Sequence, residues 1–166
     1  FRGALPYFAG THWQELICDF LTRSWPQTEQ AHDVLMVLGK IHASGNQPEK
    51  AAFYFSRVPV NSPRYAEAQL TAGRGYAAAY RNAEARPGKQ QPSPARKQTW
   101  LDRSATHMQT GIASLKQETP GDRDSPQLRS AKTSLAKTLV TRGEYGQTLE
   151  LMTGRSPEGP DTGRRT

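Results

Sequence analysis

Cysteine is nearly absent from this chain: Cys18 is the only one in 166 residues. A single thiol excludes an intrachain disulfide and any metal site built from several thiolates of the same chain. Set among Leu16, Ile17, Phe20 and Leu21, it reads as a buried structural thiol. Long apolar runs are also missing. The longest, Val34 to Leu38, is far short of the ~20 residues a membrane-crossing helix needs. No stretch alternates apolar and polar residues between hairpin turns, which excludes a sheet. The four histidines, His12, His32, His42 and His107, are far apart, and no pair has the spacing of metal ligands on one helix. No metal site, cofactor or catalytic constellation emerges. The chain starts at Phe1 with neither an initiator Met nor a signal-peptide pattern, so it reads as an internal piece of something longer.

Acidic residues are outnumbered, 15 against 22 Lys and Arg, giving a net charge of +7. That balance suits an anionic partner, whether an acidic peptide, nucleic acid or a lipid surface. Much of the excess crowds one stretch, with Arg81, Arg86, Lys89, Arg96, Lys97 and Arg103, where it would only solvate a linker. Mean hydropathy is −0.76, so part of the chain is expected to be loop or tail.

What the chain does have is helical periodicity. Residues 1–10 read as a connector. Trp13, Leu16, Ile17, Phe20 and Leu21 then recur at three- and four-residue steps over 11–24, and Trp25-Pro26 breaks that helix. Further helices are expected over about 27–44, 48–57, 64–82, 97–118, 126–142 and 144–152. Between the fourth and fifth, Pro87 to Pro94 reads as an inserted flexible loop spanning 83–97.

Small and bulky residues recur on these helices with a period. Gly73 falls 34 residues after Gly39, the length of a helix-turn-helix repeat, in which one helix pair cannot bury both apolar faces until the next stacks on it. Gly39 and Ala51 would be the close contacts between paired helices, with Phe55 filling the gap beside them.

Leu38-Gly39, Ala51, Phe55 and Pro63 resemble the tetratricopeptide repeat pattern of Leu-Gly, Tyr, Ala, an aromatic and Pro, with His42 where Tyr is expected. Gly73 and Tyr76 start a second unit, which Pro120 would close 57 residues after Pro63, one period plus an insertion of 23. Leu135-Ala136, Leu139, Tyr145, Thr148 and Met152 give a degenerate third unit, closed by Pro160. The resemblance implies an all-α fold, an α-solenoid of stacked antiparallel helix pairs, with repeats at about 32–65, 66–122 and 129–160. Residues 11–25 would be a helix of a truncated preceding repeat, and 161–166 a disordered tail.

It also implies a non-enzymatic scaffold that binds a protein or peptide in a concave groove. The residues after the Leu-Gly positions are Lys40, Arg74 and Lys137, a ladder of cations suited to carboxylates of an acidic partner. Asp33, Met36, Glu67 and Leu70 would share that face; they do not reproduce the carboxylate clamp of chaperone-binding members. Two alternatives stay open: a basic helical repeat that binds nucleic acid, and an accessory domain of an enzyme whose catalytic part lies elsewhere.

Two motifs are formal matches only. Gly73-Arg74-Gly75-Tyr76-Ala77-Ala78 has dinucleotide-fingerprint spacing but sits inside a helical pattern rather than after a strand. Ser134 and Lys137 have Ser-x-x-Lys spacing without the companion motifs of that chemistry.

Overall fold

The first helix, α1 (Thr11–Ser24), stops at Trp25-Pro26, because proline disfavours helical geometry in the residue before it. Thr28 then starts α2 (Glu29–Ser44): its backbone is extended and its hydroxyl accepts from the Ala31 amide at 3.3 Å, satisfying one of the free donors of the first turn. The computed structural model describes residues 11–118 and 125–154, and all regular structure among them is helical. The expected connector over 1–10, the closing prolines Pro120 and Pro160 and the tail over 161–166 lie outside the described residues.

Ser44-Gly45-Asn46 closes α2, with the Gly45 amide returning to the Ile41 carbonyl at 3.0 Å and Asn46 taking a φ of 55°. Proline opens the next helix, α3 (Pro48–Ser56), where its missing N–H costs nothing. A turn follows, then α4 (Tyr65–Glu84), α5 (Pro94–Glu118), α6 (Pro126–Arg142) and α7 (Tyr145–Thr153). Helix α6 is bounded on both sides by its own chemistry. The Ser125 hydroxyl accepts from the Leu128 amide at 3.2 Å, and Gly143 ends the helix at a φ of 81° that a side chain would strain.

The loop expected over 83–97 is narrower. Helix α4 continues through Glu84 because Ala79 and Ala83 bury against Trp100. Helix α5 begins at Pro94, and the Ser93 hydroxyl accepts from the Arg96 amide at 3.3 Å. Between them only 85–93 remain, and these include a turn of 3-10 helix at Gly88–Gln90. The extra length of this part of the chain is therefore carried mostly as helix: α4 and α5 have 20 and 25 residues, against 16 and 9 in α2 and α3.

Each helix packs on its neighbours in chain order, and α4 also touches α6. The core is divided accordingly. One cluster joins Cys18 and Leu21 of α1 to Leu35, Leu38, Phe55 and Ala72; a second joins Leu70 and Met108 to Leu128, Leu135 and Leu139. Close approach depends on glycine. A Cβ on Gly39 would lie 2.5 Å from the Phe55 ring, and one on Gly73 would lie 2.5 Å from the Met108 side chain and 2.9 Å from the Ser104 carbonyl.

These contacts keep a register. Gly39 meets Phe55 as Gly73 meets Met108; the first partners are 34 residues apart and the second 53. His42 stacks on Tyr54 at 5.2 Å, and Tyr76 stacks on His107 at 5.6 Å, with the same two offsets and the residue types exchanged. In the last pair the fit loosens. Met152, expected to fill the aromatic position of the third unit, is 58% exposed, and Leu151 packs against the core instead.

Candidate functional site, a groove between α4 and α6

Two cavities lie end to end along the α4 and α6 faces. The first, about 470 Å³, is walled by Arg74 and Arg81 of α4 and by Ser134, Lys137 and Thr141 of α6; Ala77, Leu101 and Met108 supply its apolar surface. The second, about 500 Å³, is walled by Glu67, Thr71 and Arg74 of α4, Glu118 of α5, and Gln127 and Ser130 of α6. Low residue numbers face low and high face high, so the two helices run in the same direction. Arg74 stands between the cavities and donates to the Ser130 hydroxyl at 3.2 Å.

Helix geometry puts these groups in line, since residues three and four apart share a face. Glu67, Thr71, Arg74 and Arg81 follow that spacing on α4, as do Ser130, Ser134, Lys137 and Thr141 on α6. The alanine at 77 keeps the α4 wall low enough to leave an opening.

The first cavity has three cations and no carboxylate on its walls. Several other cations do meet acids: Arg57 with Asp19 at 3.3 Å, Arg64 with Asp33 at 3.6 Å, Arg96 with Glu49 at 2.7 Å and Lys97 with Glu84 at 2.6 Å. Arg74, Arg81 and Lys137 have no such ion pair among the described residues. An arrangement of this kind attracts an anion, because like charges held together without counter-charge lower the potential energy of a carboxylate entering between them.

Of the residues expected to line a groove, Glu67, Leu70, Arg74 and Lys137 come together here. Lys40 is exposed on α2 and lines neither cavity. Met36 is 1% exposed and belongs to the core, because α2 is apolar nearly all round. Asp33 is buried and faces Arg64. Leu70 contributes an edge of the second cavity while packing beside Gly111 in the second core cluster. Arg81, which composition groups with the linker cations although it falls within the helix expected over 64–82, stands on α4 seven residues, two turns, after Arg74. Three other cations of that stretch stand on α5 and are engaged, Arg96 over Trp100 at 5.2 Å, Lys97 with Glu84 and Arg103 over Tyr76 at 5.6 Å, whereas Arg86 lies in the 85–93 connection.

The titratable core groups are tied up in packing. Cys18 is fully buried, and burial pushes its thiol up to about 12, with Arg57 opposing and Asp19 adding to the shift; such a thiol is unreactive. His42, 2% exposed, has Nδ1 3.0 Å from Gln47 Oε1 and Nε2 3.0 Å from Glu15 Oε1, which ties α1 to α2. His107 Nδ1 lies 2.6 Å from Gln69 Oε1, and burial, with Arg103 nearby, lowers its pKa. The His12 side chain lies outside those described. Among the described residues no group of three His, Cys, Asp or Glu is placed to hold a metal ion, and no helix is long and apolar enough to cross a membrane. Gly73 and Gly75 serve helix contacts inside α4, away from any strand-to-helix turn that could cradle a pyrophosphate. The Ser134 hydroxyl donates to the Ser130 carbonyl at 2.9 Å along its own helix.

Comparison of the chain with family models, with curated proteins and with solved structures gives no match.

Proposed function

We propose that this chain is a helical-repeat scaffold of tetratricopeptide type that holds an acidic protein segment in the groove between α4 and α6. The repeat part of this reading rests on the recurring register, Gly39 with Phe55 and His42 with Tyr54 in one pair, Gly73 with Met108 and Tyr76 with His107 in the next. The binding part rests on one observation: Arg74, Arg81 and Lys137 surround a single cavity whose walls carry no carboxylate. Hydroxyls of Ser134 and Thr141 beside them donate to carbonyls of their own helix and keep lone pairs that can accept from a peptide N–H.

A nucleic-acid reading finds less support, since Arg96, Lys97 and Arg103 spend their charge on Glu49, Glu84 and aromatic rings. The groove cations are too few to track a phosphate backbone, whose binding rises with the number of phosphates neutralised.

The test is calorimetric titration of the chain with a Glu- and Asp-rich peptide, beside the variant carrying Arg74→Glu, Arg81→Glu and Lys137→Glu. The wild type binds and the variant does not, with unchanged helicity by circular dichroism. Equal affinity in both would remove the groove from the account.

A further inference from the structure

The groove is not uniformly basic, and its polarity selects among acidic partners. Its first cavity carries Arg74, Arg81 and Lys137 without an acid, and its second carries Glu67 and Glu118 beside Arg74. Glu67 and Glu118 are exposed, and neither makes an ion pair among the described residues. At about 1.5 Å per helical residue, Glu67 and Arg81 are roughly 21 Å apart along α4. A ligand lying along both cavities therefore meets cations at one end and carboxylates at the other.

We infer that the groove binds a bipolar peptide segment, with a pair of carboxylate residues at one end and a basic residue about four to six positions away in extended conformation, near 3.3 Å per residue. This inference rests on the peptide-binding reading above and deepens it. Three cations exceed what one carboxylate neutralises, so the acidic end carries two. A uniformly acidic peptide would place its far end against Glu67 and Glu118, where like charge repels it. The polarity also fixes direction, because only one orientation of a bipolar chain aligns both ends with their opposite charges.

The experiment uses the full chain and three synthetic peptides of equal length, titrated at low salt. One has two glutamates at one end and a lysine at the other, one has glutamates at both ends, and one has its charged residues replaced by Gln. The bipolar peptide binds several-fold to about tenfold tighter than the all-acidic one, the range expected of partly exposed charge pairs. In the variant with Glu67→Lys and Glu118→Lys the order reverses. An all-acidic peptide that binds the wild type as tightly as the bipolar one overturns the inference and leaves the scaffold reading intact. Absence of binding by all charged peptides overturns both.

Discussion

Gly39→Ala is the substitution whose outcome separates close helix packing from ordinary helix propensity. In an open helix interior this change stabilises by about 0.8–1 kcal/mol. Here the new Cβ would lie 2.5, 2.6 and 2.7 Å from three ring carbons of Phe55, where carbon atoms normally stay about 3.5–4.0 Å apart. Phe55 is 2% exposed, so its ring has no solvent to move into, and α2 and α3 must separate. Overpacking of this kind costs about 1–3 kcal/mol; set against the propensity gain, the net loss is about 1 kcal/mol. The assay is urea and thermal unfolding by circular dichroism, where a loss of about 1 kcal/mol lowers the midpoint by roughly 2–4 °C for a chain of this size. Gly45→Ala serves as the control, since its Cβ would come no closer than 3.5 Å to any neighbour and its φ is −77°. Phe55→Leu, which removes the ring, should make Gly39→Ala less harmful by about 1 kcal/mol in a double-mutant cycle. A stabilised Gly39→Ala protein, with additive effects in the cycle, would refute the packing argument.

Two further outcomes follow from the buried titratable groups. The folded pKa of His107 is below its ordinary value of 6.5, so on acidification the unfolded chain takes up the proton first. Its contribution to stability is complete above about pH 6.5 and declines as pH falls toward the folded value; His107→Gln should flatten that part of a stability-versus-pH curve, and an unchanged curve would contradict it. Cys18, buried with its thiol pushed up to about 12, should resist iodoacetamide at pH 8 and react rapidly in urea. Glu15→Ala, which removes the contact with His42, should speed native labelling by loosening α1; native and urea rates that match would contradict the burial.

The helix boundaries were legible where proline carries the signal, Trp25-Pro26 ending α1 and Pro48 opening α3. The caps Thr28, Ser125 and Gly143 fix the ends of α2 and α6 more finely than periodicity does, since the apolar pattern alone starts the second helix at 27. The Gly39 and Phe55 contact was legible as well, since a glycine inside an apolar helix face leaves room for one large neighbour. The narrower loop was not. Pro92, Pro94 and the polar residues around them suggest a linker, but Pro94 is a helix start, and the burial of Ala83 on Trp100 that holds the end of α4 is a contact between residues 17 apart. Arg81 falls inside the helix expected over 64–82 as well as inside α4, and only its grouping by composition with the linker cations concealed it. Register alone put Lys40 with Arg74 and Lys137, yet Lys40 lines neither cavity of the groove. Met36 and Asp33 were assigned to a solvent-facing side that α2, buried on most of its surface, does not offer them.

The most direct test of the central claim is amide chemical-shift mapping of the full chain by NMR on addition of the bipolar peptide. The account predicts that saturable shifts centre on Arg74, Arg81, Ser134 and Lys137, extend toward Glu67, and spare α1 and the exposed Lys40. Shifts centred on another face, or none at millimolar peptide, would contradict it.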